Sequence, residues 1–250
     1  MTPPLPPAFL TRPLTHRALH DGTGACPENS LAAIRASVAA GYGIEVDVQP
    51  SGDGVAMVFH DAGLERLTAR AGRITDLSAA ELGDLTLLGG AEPVPTLADC
   101  LAEIGGKVPL LIEVKRQPGG PGALERGVAQ ALEGYEGPVA VMSYDPRSVA
   151  VMRDLMPETP RGLTTDAFAT EDYPDIPEVL RERLRAITDF DAVGASFISH
   201  DRNDLKSPAV AALKARKVPV LCWTVRSAEQ ERVAREVADN ITFEGYTPAA

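Results

Sequence analysis

Cysteine is scarce in this chain. The three thiols, Cys26, Cys100 and Cys222, are odd in number and none belongs to a CxxC pair. That excludes a disulfide framework and a thiolate zinc site, and leaves buried or half-buried free thiols. Basic excess is also missing: the formal net charge of -11 argues against a broad nucleic-acid surface, which is basic. A small anionic substrate is not excluded, because a bound cation and a few local basic groups outweigh the global field. No apolar run approaches the roughly 20 residues that span a bilayer, so no stable membrane insertion is expected. The opening MTPPLPPAFLTRPLTHR lacks the charged-then-apolar order of a secretory signal. A soluble, cytoplasmic protein is the expectation. Aromatic residues make up 5% of the chain, with a single tryptophan, Trp223.

What is present is an alternation. Short β-rich runs occur at Leu14–Ala18, Gly43–Gln49, Val55–His60, Pro109–Val114, Val139–Ser143, Arg161–Thr164, Ala195–Ser199, Val218–Thr224 and Ile241–Phe243. Helical spacing fills most of the intervals, at Ser30–Ala40, Leu97–Ile104, Ala123–Leu132, Pro146–Leu155, Pro177–Ala186, Pro208–Ala215 and Ala228–Ala238. Strand–helix alternation predicts a parallel sheet, and this many units in 250 residues predicts an α/β fold of the (β/α)8 TIM-barrel class. Nine runs compete for eight places. The link between Gly43–Gln49 and Val55–His60, PSGDG and its flanks, is too short for a crossover helix, so one of these runs departs from regular barrel topology. Residues 62–92 break the alternation and contain LSAAELGDL, with Asp76 or Ser78 as the candidate cap. They predict a small insertion within one TIM-barrel domain over 1–250. Thr165–Pro177 reads as a surface loop.

The sharpest local signal is IEVDV at Ile44–Val48. Strand alternation puts Glu45 and Asp47 on one face. Polar residues facing water are the ordinary reading of such a pair, but in a parallel barrel helices cover the outside and side chains fill the inside. An acidic pair there needs a compensating cation. VFHD at Val58–Asp61 adds His60, a proton-transfer group. PLLIEVK, Pro109–Lys115, ends a second strand with Glu113 and Lys115. A strand-end ion pair is the bland reading; a third carboxylate and a cation for an anionic substrate is the functional one. His16–Arg17 end the first run, and Pro27–Ser30 open the first helix, where Asn29 or Ser30 can cap. Taken alone, His16 reads as a satisfied surface histidine, and Glu28 and Asn29 as capping residues. Trp223 suits core packing or a pocket wall. His20 and His200 have no comparable motif partners and read as non-catalytic. Carboxylate oxygens without clustered histidine or cysteine favour Mg2+ or Ca2+, with Mn2+ also suited. The residues alone reach a metal-assisted hydrolase of an anionic substrate.

His16–Arg17, PENS at Pro27–Ser30, EVDV at Glu45–Val48, VFHD at Val58–Asp61, LERLT at Leu64–Thr68, PTL at Pro95–Leu97, IEVK at Ile112–Lys115 and WTV at Trp223–Val225 follow in that order. With this ordered set the chain resembles the glycerophosphodiester phosphodiesterase family, within the phospholipase-C-like TIM barrels. The resemblance implies divalent-cation-dependent hydrolysis of a small phosphodiester to sn-glycerol 3-phosphate and an alcohol. By position it makes His16 and His60 the acid/base pair and Glu45, Asp47 and Glu113 the metal ligands. Arg17 and Lys115 would contact phosphate, Glu28 would join the metal shell or bind a glycerol hydroxyl, Asn29 would support the site, and Trp223 would wall the pocket.

The chain departs from the family pattern at three places. Ala18 stands where the family has glycine, which crowds the backbone if φ is positive there. The His16–Glu28 loop is longer than usual, and Glu244 replaces the commoner strand-end aspartate. Two alternatives remain. A lysophospholipase-D-like enzyme would need an apolar groove near the barrel mouth, which neither the short insertion nor the aromatic content suggests. A silent phosphoryl-binding barrel is disfavoured by retention of both histidines and all three acids.

Overall fold

The computed structural model describes residues 2–22 and 24–248; Met1, Ala249 and Ala250 of the expected domain, and Thr23 of the long loop, lie outside the described residues. The strands are β1 (Leu14–Thr15), β2 (Gly43–Pro50), β3 (Ala56–Val58), β4 (Leu110–Val114), β5 (Val139–Ser143), β6 (Arg161–Thr165), β7 (Phe197–Asp201), β8 (Val220–Val225) and β9 (Asn240–Phe243). Eight of them close a parallel ring in the order β1-β2-β4-β5-β6-β7-β8-β9, with β9 pairing back to β1. The ninth, β3, runs antiparallel to the far end of β2, pairing Val48 with Val58 and Pro50 with Ala56. The five-residue turn between them permits only a hairpin, so β3 lies outside the ring.

The helices are α1 (Ala8–Thr11), α2 (Leu31–Ala40), α3 (Ala79–Gly83), α4 (Leu97–Ile104), α5 (Ala123–Ala131), α6 (Pro146–Leu155), α7 (Glu178–Arg185), α8 (Pro208–Ala215) and α9 (Ala228–Ala234). Their starts are written in side chains. Ser30 caps α2 by accepting from Ala33, and Asn29 does not. Ser78 with Glu81 and Thr96 with Asp99 form capping boxes at α3 and α4. Asp145 caps α6, whose first residue is Pro146.

Alternation sorts each barrel strand into an outward apolar face and an inward one. At the amino-terminal end of the barrel, Leu14, Leu111, Ala140, Met142, Phe197 and Leu221 pack together, and Leu5 with Phe9 of α1 closes that end. Gly162 is required there: a Cβ would come 2.4 Å from the Phe197 ring, its neighbour in register. The outward faces form the main core against the helices. The segment 62–92 has its own cluster, in which Met57 and Phe59 from the β3 side join Leu64, Ile74, Leu82 and Val94. That anchoring holds the chain on either side of Val58 and delivers His60 to the barrel mouth. Thr165–Pro177 is not wholly a surface loop, because Asp166 and Phe168 are buried. No helix among the described residues is long and apolar enough to cross a membrane.

Candidate active site

The inward positions change character toward the carboxyl ends of the strands. Parallel register sets Asp47 of β2 beside Glu113 of β4, with Glu45 one inward step below. Oxygens of the three carboxylates lie within 4.8 Å of one another, and the residues are only 2%, 2% and 7% exposed for Glu45, Asp47 and Glu113. Their compensation is uneven. The Lys115 Nζ lies 2.6 Å from Asp47 Oδ1 and 2.5 Å from Glu113 Oε1. Asn29 Nδ2 donates to Asp47 Oδ2 at 3.0 Å, and Arg17 Nε stands 3.5 Å from the same oxygen. Glu45 receives the Arg17 backbone N–H at 2.9 Å and pairs with no side-chain cation among the described residues.

The electrostatics follow from that imbalance. Burial, with Asp47 and Glu113 nearby, pushes the Glu45 carboxyl well above its ordinary range. Burial acts the same way on Asp47 but is overcome by Lys115, His60 and Arg17, which hold it well below. Burial would likewise lower Lys115, yet Asp47 and Glu113 raise it, so the ammonium stays charged. A buried, undercompensated set of three oxygen donors fits a hard divalent cation.

Both predicted histidines reach the same cavity. His16 Nδ1 lies 2.5 Å from Glu244 Oε2, and His60 Nδ1 lies 2.6 Å from Asp61 Oδ1. Each ring therefore spends Nδ1 on a carboxylate and keeps Nε2 free of hydrogen bonds among the described residues. Burial lowers the His60 pKa, with Lys115 and Arg17 adding to it against the pull of Asp47.

Arg17 and Ala18 adopt left-handed backbone conformations, φ 53° and 64°. This kink aims the Arg17 N–H at Glu45 and its guanidinium at Asp47. Glu28 is drawn away from the cavity: it bonds Arg17 Nη1 at 2.8 Å and Arg66 Nη2 at 2.8 Å. Arg66 also grips Asp61, with Nε 2.5 Å from Oδ2, so one ion-pair chain joins the 62–92 segment to both histidine loops. Asn29, at φ 57°, donates to the same Asp47 oxygen that Arg17 approaches.

The cavity, about 240 Å3, is lined by His16, Arg17, Glu45, Asp47, His60, Glu113, Lys115 and Trp223. Glu28 and Asn29 support the wall from behind it. Across the ring from β2, Asp201, Arg202 and Asn203 form the opposite wall with Tyr144 and Arg226. Arg202 Nε donates to the Thr224 carbonyl at 3.0 Å. These residues belong to no motif; position at a strand's carboxyl end was the one available signal. His20 and His200, read as non-catalytic, are held outside the carboxylate cluster. The ring of His200 is wholly buried between Thr165 and Asp204 (2.7 Å and 3.1 Å), and His20 Nε2 sits 3.6 Å from Glu244.

Residues 16–239 match the glycerophosphoryl diester phosphodiesterase family. YhdW of Bacillus subtilis (strain 168) is 28% identical over 223 residues, 86% of each chain. A glycerophosphodiester phosphodiesterase of Bacillus altitudinis is 30% identical over 171 residues, 62% of this chain and 67% of its own. The same fold occurs in an Oleispira antarctica phosphodiesterase solved in complex with its product sn-glycerol-3-phosphate, with TM-score 0.78 and 24% identity over 95% of this chain and 94% of that one. With a barrel whose strand ends gather three acids and two histidines, and a family match over nearly its whole length, the chain belongs to the glycerophosphoryl diester phosphodiesterase family.

Proposed function

We propose that the protein hydrolyses small glycerophosphodiesters to sn-glycerol 3-phosphate and an alcohol in a divalent-cation-dependent reaction. The observation that carries this reading is the convergence of Glu45, Asp47, Glu113, His16 and His60 on one cavity. The three carboxylates would hold Mg2+, Ca2+ or Mn2+, which when bound would supply charge neutralisation at a phosphoryl oxygen. Arg17 and Lys115 complete the positive lining around the phosphate. The nucleophile gives its proton to one imidazole as its oxygen bonds phosphorus; water gives sn-glycerol 3-phosphate directly, whereas the substrate's own neighbouring hydroxyl gives a cyclic phosphate that water then opens in a second displacement with the same two imidazoles. The other imidazole protonates the departing alcohol oxygen as the P–O bond breaks. A His60 ring kept neutral by burial suits the accepting role. Glu28 steadies Arg17, Asn29 steadies Asp47, and Trp223 bounds the substrate. Three unpaired cysteines, two of them buried, fit a reducing, cytoplasmic setting.

The test is an sn-glycerol 3-phosphate-coupled assay over several glycerophosphodiesters, with and without EDTA. Chelation should abolish turnover, and His60→Ala should lower kcat by about 10^2–10^4. Activity indifferent to both treatments overturns the reading.

One observation favours lysophospholipids as a second substrate class. An apolar groove of about 560 Å3 runs between α6 and α7, floored by Phe168, Ile176, Leu180 and Leu184, and it shares Tyr144 with the cavity. Adding a lysophospholipid to the same panel decides it: turnover below that of the short diesters by 100-fold removes this reading.

A further inference from the structure

We propose that Glu244 is the positioning residue for His16, and that His20 is a second brace on the same carboxylate. The proposal rests on the reading of His16 as an acid/base group. Glu244 follows β9 directly and is fastened there by its backbone N–H, which donates to the Val225 carbonyl at 3.0 Å. Its carboxylate meets two hydrogen-bond donors and a third group, a ring nitrogen, at longer range. Oε2 accepts from His16 Nδ1 at 2.5 Å, and Oε1 accepts from Arg226 Nε at 2.6 Å. The third is His20, whose Nε2 lies 3.6 Å from Oε2. His16 is tied to the same strand end through its own N–H, which donates to the Phe243 carbonyl at 2.8 Å. Backbone and ring of His16 are therefore held by consecutive residues, Phe243 and Glu244.

The cluster of His16, His20 and Glu244, whose ligand atoms lie within 4.8 Å of one another, has the composition of a metal site. The hydrogen bonds point to a different use. His20 Nδ1 accepts the Gly22 N–H at 3.1 Å, so the proton of the neutral ring is on Nε2, which is buried without a hydrogen-bond partner and faces Glu244. A nitrogen that carries a proton has no lone pair for a metal. The group is a hydrogen-bond hub: burial opposes ionisation of Glu244, but His16 and His20 outweigh it and keep the carboxylate charged. A charged acceptor at Nδ1 selects one ring orientation and one tautomer, with Nε2 turned to the substrate. His20 is supplied by the long His16–Glu28 loop, which gives that loop a task.

Two measurements test this. In the unliganded protein, 15N NMR of labelled histidine should show His16 with a protonated Nδ1 and an unprotonated Nε2; Glu244→Ala should mix the tautomers. In the coupled assay Glu244→Ala should lower kcat about 10–100-fold with KM within about twofold, and formate should restore part of the rate. His20→Ala should cost about fivefold or less, the scale of a weak ionic approach without a hydrogen bond. An unchanged tautomer in Glu244→Ala overturns the proposal, as does a loss shared by kcat and KM that formate does not relieve. If the wild type turns over no glycerophosphodiester, the reading of the reaction fails, and the NMR result still decides the positioning.

Discussion

Glu45 sets fold stability against the proposed chemistry. Its folded pKa is raised, first by burial and then by Asp47 and Glu113. Such a carboxyl contributes stability that is complete below its unfolded pKa, about 4.3, and is lost as pH rises through the folded value. At neutral pH without a cation, the charged form is therefore a burden. Glu45→Gln should raise the thermal midpoint of metal-stripped protein at pH 7, and should erase the upward shift that Mg2+ or Ca2+ is expected to give the wild type. A variant that melts lower than stripped wild type would show the buried charge is not what strains the site. Ala18 poses a smaller contest. A left-handed alanine costs about 1–2 kcal/mol. Glycine in its place loses a buried methyl, about 0.8 kcal/mol, and adds about 0.4–1 kcal/mol of unfolded-chain entropy. These nearly cancel, so Ala18→Gly should leave kcat and the melting temperature almost unchanged in assay and calorimetry. A several-fold change in KM would mean the methyl shapes the pocket.

At the scale of elements, Gly162 is a strict packing requirement inside the barrel. With a Cβ 2.4 Å from the Phe197 ring, Gly162→Ala should cost about 1–3 kcal/mol by overpacking. That corresponds to about 2–4 °C of melting temperature per kcal/mol at this size, and Phe197→Leu in the same chain should recover most of it. An unchanged scan would show that the barrel floor yields. The seven predicted helices and nine predicted strand runs all form, because caps and alternation are local properties of the chain. The outlying position of β3 was legible as well, since a short link forbids a parallel crossover. The helix α1, four residues in a proline-rich stretch, left no periodic trace: it exists because Phe9 fits the barrel end and Asn240 Nδ2 donates to the Phe9 carbonyl at 2.8 Å.

On the scale of the whole molecule, ion pairs join segments distant in sequence. Burial opposes ionisation of Glu28, Asp61 and Glu244. Arg66 with Arg17, Arg66 with His60, and His16 with His20 respectively hold the three pKa values below the ordinary range all the same. Depressed carboxyls contribute stability above their unfolded pKa that is lost as pH falls through the folded value. The thermal midpoint should therefore decline as pH drops below about 4, and less steeply in high salt, because these groups are partly exposed and screened. A midpoint flat between pH 5 and pH 3 would deny that these pairs stabilise the fold.

The sequence by itself determined the barrel, the inward face of Glu45 and Asp47, and the ordered motifs that mark the family, since periodicity and spacing act over a few residues. Only the tertiary structure decided that Glu28 turns from the cavity toward Arg17 and Arg66. The same holds for Glu244 gathering two histidines and for Arg202 facing the carboxylates from across the ring. Those contacts join strands and loops up to 228 residues apart. They depend on ring closure and register, which bring groups together that no local pattern relates.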